Sequence, residues 1–501
     1  MSVRRAGSSV RRGAALAVTL LASSAAFAHG EPVPGSLRQM DVAADGRSGV
    51  RGIGGASGIA VSPDSRHVYV TGIEDDAVAV FVRDRKGLAF VESDEDGEVE
   101  GGITLDGLDG AADVAVSPDG KNVYLAASKD DAVVTFARNI RTGRLRFLDL
   151  DRDDVDAVDG VAGASGVAVT PDGAGVYVAG FEDGAVASFS RESGSGKLHF
   201  LEMDQPPDLA GAFALAVAPD SGGVYSAWML ADRVVAFRRD RESGALEFAS
   251  SSFGMPWYSG PVSIAVSPYG RDVYATMLRN SAVNRFRRST PDQALTFTGF
   301  VRDGVAGTNG IGLASGVAIS PDATSAYVTG AGDDALAFFS IRDTTGALHY
   351  RARYRQGRRG VDGLDGAAGV AIAPNGRRVY AIANGEAGDT VASFARRTVP
   401  LLDTATARDR QRLRRLEVVV QCSRSCRLNA RAHGVAEGIR FASGRFTGKL
   451  DDDVSNRIRL RFHRGVRRAL RGEHAEVEIT LAARDRLGTR VRRKLSVEFV
   501  P

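Results

Sequence analysis

Gly58-Ile-Ala-Val-Ser-Pro-Asp-Ser-Arg-His-Val-Tyr-Val70 holds two short apolar runs on either side of a proline turn. Proline at the second turn position and β-branched residues alternating around it describe two antiparallel strands. The turn recurs six more times, at Ser117-Pro118-Asp119, Thr170-Pro171-Asp172, Ala218-Pro219-Asp220, Ser267-Pro268-Tyr269, Ser320-Pro321-Asp322 and Ala373-Pro374-Asn375. Successive prolines are 55, 53, 48, 49, 53 and 53 residues apart. After each turn comes a Val-Tyr or Ala-Tyr strand, then a third strand such as Ala77-Val-Ala-Val-Phe81. A glycine turn then leads to a fourth strand, as in Gly87-Leu-Ala-Phe-Val91. Four short strands repeated at this period predict an all-β, seven-bladed propeller, because one small sheet cannot bury both of its faces alone.

The seventh unit lacks the glycine turn and the fourth strand. Gly35-Ser-Leu-Arg-Gln-Met40 reads like the missing piece, so residues near 36–42 are expected to complete the last blade. The ring then spans residues 35–400.

The first 28 residues have the form of an export signal. Arg4, Arg5, Arg11 and Arg12 precede an apolar run, and Ala26-Phe27-Ala28 fits a cleavage site. The run is short for a membrane span. A secreted or cell-surface location follows. Ser9-Val10-Arg11-Arg12 is a partial twin-arginine pattern, and the export route stays open. The two cysteines are Cys422 and Cys426. An oxidising compartment predicts a short-loop disulfide, with free thiols or a metal as the alternatives.

Charge divides the chain. Residues 401–501 hold 24 Lys+Arg and 12 Asp+Glu, a net of +12 in a chain that is +3 overall. Residues 1–400 therefore carry −9, or −13 without the four leader arginines. Residues 401–412 read as a linker. Strand patterns at 413–421, 427–432, 457–463, 475–483 and 491–500 predict a small immunoglobulin-like sandwich over 413–501. It resembles β-sandwich tails of other secreted proteins that carry a Cys-x-x-x-Cys hairpin. Its basic face could hold an anionic cell-wall polymer or be solvated without a partner. Nucleic acid is not expected, since no recognition motif is present.

Val68-Tyr-Val-Thr71, Val123-Tyr-Leu-Ala126 and Val176-Tyr-Val-Ala179, each after a Ser/Thr-Pro-Asp turn, resemble the YVTN-type repeats of the seven-bladed lactonase family. That family includes 6-phosphogluconolactonase-like enzymes and the fungal muconate-lactonising enzyme. The resemblance implies a small-molecule ligand and arginine, histidine and glutamate side chains at one mouth of the ring. The starts of the seven inner strands read Ser57-Gly58, Ala112-Asp113, Ser165-Gly166, Phe213-Ala214, Val262-Ser263, Ser315-Gly316 and Ala368-Gly369. Asp113 is the one ionisable group among them and the candidate catalytic base for lactone hydrolysis.

An aromatic patch on the same loop face is the candidate ligand site: Phe213, Trp228, Phe253, Trp257, Tyr258 and Arg279. Flat rings suit a sugar or another ring-shaped ligand, and Arg279 suits a carboxylate; plain loop packing is the ordinary alternative. Asp149, Asp151 and Asp153 alternate oxygen donors in the manner of a calcium loop, though turn chemistry also explains such content. Five arginines between 351 and 359 are expected to pair with acidic neighbours or to attract an anionic substrate. Three functions follow: an exported binding propeller, a lactonase-like hydrolase, or a structural surface-layer protein.

Overall fold

The computed structural model describes residues 34–501. Excepted within it are 85–86, 101, 254–259, 343, 398–401, 408–409, 412–415, 423–425, 437–438, 451–455, 463–465, 467–474, 486–489 and 500–501. The expected export signal lies outside the described residues.

Seven four-stranded antiparallel sheets form the blades. Blade 1 runs Ala56–Val61, His67–Gly72, Ala77–Arg83 and Leu88–Glu95 from inner to outer strand. Blades 2 to 6 repeat that order. Blade 7 takes Ala367–Ile372, Arg378–Gly385 and Gly388–Arg396 from its own repeat and Leu37–Ala44 from the chain's start. Leu37 lies opposite Arg396 and Ala44 opposite Thr390. The ring therefore closes as the incomplete seventh repeat suggests.

Each blade buries its faces against its two neighbours, so the apolar core is a set of seams. Tyr69, Val78 and Val80 of blade 1 pack on Val123, Leu125 and Phe136 of blade 2, and the other seams follow suit. The turn motif does more than reverse the chain. At the seam of blades 1 and 2 the Tyr69 hydroxyl donates to the Gly143 carbonyl at 2.8 Å and accepts from Arg138 Nε at 2.5 Å. Arg138 also donates to His67 Nδ1, 2.7 Å away, and pairs with Asp64 of the Ser-Pro-Asp turn. His67 is thus buried between blades.

The same clasp joins Tyr124, Arg191 and Asp119; Tyr177, Arg239 and Asp172; Tyr225, Arg288 and Asp220; and Tyr327, Arg396 and Asp322. In the triad of Tyr225, Arg288 and Asp220, Gln293 stands between the tyrosine and the arginine. At the seam of blades 5 and 6, Tyr269 replaces the aspartate and Ile341 the arginine, so both members of the ion pair are missing together.

Two outer strands carry carboxylates with one buried oxygen and no hydrogen-bond partner among the described residues, Asp151 and Asp204. Burial, and then the neighbouring Glu202, push Asp204 up to about 7. The folded protein then holds a proton that the unfolded chain releases near 4. This contribution is full below that value and is lost as pH rises through about 7. Asp204→Asn is expected to flatten stability between pH 5 and 8. It should also raise stability at pH 8 by about 1–2 kcal/mol, after allowing for the water that still reaches the site. Thermal melts of both proteins across that range check this; parallel curves refute it.

The C-terminal region packs two sheets over one core. Leu402–Ala407, Leu416–Cys422 and Asn456–Leu460 form one of them. The other is built mainly on Cys426–Ala436, Ala475–Asp485 and Arg490–Phe499. Val418, Val420, Leu428, Ile458, Ile479 and Leu481 meet between them. Strands Leu402–Ala407 and Arg410–Gln411 occupy the segment read as a linker. Thr-Ala-Thr alternation there supplies an edge strand that pairs with Leu416–Cys422. The expected Cys422–Cys426 bridge involves a side chain outside the described residues; Cys426 itself is buried and is not a free thiol. No helix among the described residues is long and apolar enough to cross a membrane.

Candidate functional site

The starts of the inner strands surround the ring axis, where the chain has least room. A Cβ added to Gly58 would lie 2.7 Å from the Asp113 Cα, and one on Gly166 would lie 2.7 Å from the Phe213 carbonyl oxygen. Glycine, alanine and serine therefore dominate, and they leave a cavity of about 750 Å³. That volume suits a small molecule.

The polar groups of its wall also hold the ring together. Ser57 donates to the Ala111 carbonyl at 2.9 Å, Ser165 to Ala212 at 3.0 Å and Ser315 to Ala367 at 2.7 Å. Asp113 does the equivalent in reverse. One carboxylate oxygen accepts from its neighbour Val114 N at 2.8 Å, and the other accepts from Val167 N of the next blade at 3.0 Å. Burial pushes this carboxyl up to about 6 against those two hydrogen bonds. Phe181 and Phe213 meet edge to face, with centroids 6.1 Å apart, and form an apolar wall. Lys129 is the one basic residue lining the cavity among those described, and it is taken by Asp109 at 2.8 Å and Asp76 at 3.2 Å.

The aromatic patch expected from the sequence is not gathered here. Phe213 lines the cavity. Trp228 ends a second strand and is wholly buried with Tyr177, Val186 and Val235 at the seam of blades 3 and 4. The strand continues to the tryptophan instead of breaking before it. Phe253 ends the outer strand of blade 4, where the Arg233 guanidinium covers its ring. Arg279 is exposed beside Gly260, away from the cavity wall. Trp257 and Tyr258 lie outside the described residues.

The proposed calcium donors separate as well. Asp149 pairs with Lys197 at 3.1 Å, and Asp151 lies within the seam, pushed up to about 6 by burial and by Asp149. Both belong to the outer strand Leu145–Arg152, whereas Asp153 lies past its end. Asp153 instead gathers with Asp159 and Asp183.

A family description, lactonase with a seven-bladed β-propeller, matches residues 17–146, 59–213 and 205–360. The chain belongs to this lactonase family. No curated protein matches it. Among solved structures, a putative 6-phosphogluconolactonase from Bacteroides uniformis is 19% identical with a TM-score of 0.50, covering 60% of this chain and 84% of its own. A protein from Lactobacillus plantarum is 17% identical at the same TM-score, over 60% of this chain and 85% of its own. The Cps50 (Swd1) propeller domain of Myceliophteria thermophila also reaches 0.50 at 10% identity, over 72% and 99%. Likeness at this level shows the fold alone. The cavity of this lactonase-family propeller presents Asp113, Lys129 and Glu182, and among the described residues no arginine or histidine lines it.

Proposed function

We propose that this lactonase-family propeller is an exported binding protein that takes a small, uncharged, ring-shaped ligand, a sugar or a related lactone, in its axial cavity. The observation that carries this reading is the cavity wall. It combines an aromatic pair for a ring face with serine and carboxylate oxygens for hydroxyl groups, and its one cation is already paired. An anionic ligand would have to displace Asp109 and Asp76 from Lys129. Phe213→Ala is expected to weaken ligand binding by about tenfold while leaving the melting temperature unchanged. A thermal-shift screen of sugars and lactones followed by calorimetry of wild type and variant tests it. Equal affinities in the two proteins remove this site.

One observation favours a second reading, a lactone hydrolase. A carboxylate held near 6 is suited to act as a general base on water. Turnover would then rise with pH through about 6, as the carboxyl loses its proton. Asp113→Asn would abolish turnover even at saturating ligand. The leader and the +12 tail support export and attachment to an anionic wall polymer. Co-sedimentation with such a polymer, lost at high salt or on removal of the tail, tests the attachment.

A further inference from the structure

A second cleft lies on the side of the ring, at the seam of blades 6 and 7. It has a volume of about 1070 Å³ and is lined by the closing strand, the outer strand Leu348–Arg355 and the turn that follows. Six arginines border it: Arg38, Arg351, Arg353, Arg355, Arg358 and Arg359. No carboxylate belongs to its wall, and none of the six forms an ion pair with a described residue.

The partners present are neutral. Arg351 donates to the Ser340 hydroxyl, and Arg353 to the Asn309 side-chain oxygen. The nearby carboxylate of Asp362 accepts instead from the Gln356 amide at 2.6 Å, and Gln39 donates to the Asp362 carbonyl. Acidic pairing, one of the two expectations for this loop, is therefore absent among the described residues. Six like charges in one cleft repel one another, and serine, asparagine and glutamine cancel none of that charge.

The cations are also spread out. Arg351 to Arg355 alone cover roughly 13 Å of strand. A single carboxylate or phosphate is too small to reach guanidinium groups at both ends of that span. Several closely spaced anions are needed to meet the rest. We propose that this cleft is a binding site, separate from the axial cavity, for a linear ligand carrying several phosphate groups. Phosphate packs more charge and more acceptor oxygens into each unit of length than carboxylate does.

The basic tail also attracts anions, so the test must resolve individual arginines. The full chain is treated with phenylglyoxal, which modifies accessible guanidinium groups, and each site is quantified by mass spectrometry. Tripolyphosphate is expected to lower modification of Arg358 and Arg359 about fivefold, while citrate at the same ionic strength has little effect. Arg38→Gln, on the opposite wall, is expected to remove most of that protection without changing the melting temperature. Protection confined to tail arginines overturns the site. So does protection that survives Arg38→Gln. Equal protection by citrate overturns the assignment to phosphate.

Discussion

Replacing Asp322 with alanine is expected to cost about 3–5 kcal/mol of folding stability, because it leaves a buried guanidinium without its counter-charge. The Arg396 side chain is fully buried, and Asp322 is 12% exposed. Arg396 reaches both carboxylate oxygens, the Tyr327 hydroxyl and the Gly376 carbonyl. Burial raises the Asp322 carboxyl, but the charge and hydrogen bonds of Arg396 outweigh this and hold it down to about 2. The contribution is complete above about 4 and is lost as pH falls toward 2. Denaturant unfolding of Asp322→Ala should therefore show its deficit at neutral pH and converge with wild type in acid. A deficit unchanged at pH 2 would show that packing, not charge, is responsible. The paired change Asp322→Ala with Arg396→Met should recover much of the loss, because it removes both charges, as nature does at Tyr269 and Ile341.

Deleting residues 35–44 is expected to have a larger effect, more than about 5 kcal/mol, because it strips the outer strand from blade 7 and exposes its edge. The loss reaches two blades. Gly35 N donates to the Arg397 carbonyl, the Tyr327 hydroxyl of blade 6 donates to the Gly35 carbonyl, and Tyr354 accepts from Leu37 N. Gly35→Val is a gentler probe of the same latch. The residue has φ +87°, and a Cβ there would lie 2.5 Å from the Phe338 ring and the Ser325 hydroxyl. Calorimetry should give a lower and broader transition for both changes. An unaltered melting temperature for the deletion would mean that blade 7 is stable with three strands.

The architecture was legible because each repeat states it locally: a proline turn, a Val-Tyr strand, a glycine turn. Even the borrowed strand could be read, since the seventh repeat stops short where Gly35-Ser-Leu begins. Aligning the seven strand starts singled out Asp113, and the loop-face reading singled out Phe213; both line the axial cavity, which was not itself foreseen. Trp228 misled because aromatic residues next to a turn look like surface, whereas here the strand extends to the tryptophan and the seam absorbs it. The clasps were missed although the signal was available. Third strands end in arginine at 83, 138, 191, 239, 288 and 396, and the one that ends in Ile341 follows the one turn with a tyrosine in place of its aspartate or asparagine. Burial of so many arginines runs against composition-based expectation, and only the meeting of two blades supplies the partners. The loop at 351–359 defeated sequence reading for a related reason: which neighbours a cation meets depends on where Gln356 and Gln39 direct Asp362.

The closing strand also orders events during synthesis. Asp41 and Ser393 are paired across more than 350 positions, so the first piece of the ring to leave the ribosome is the last to find its place. Until the final repeat has been made, the closing strand has no partner, and an arc built from the first six repeats would present uncovered rims at both ends. A truncated chain that stops short of residue 396 should stay in that arc, and neighbouring arcs could then exchange strands. The export proposed above would be served by this order, because a leading segment left unpaired until the tail has crossed favours threading first and assembling afterwards.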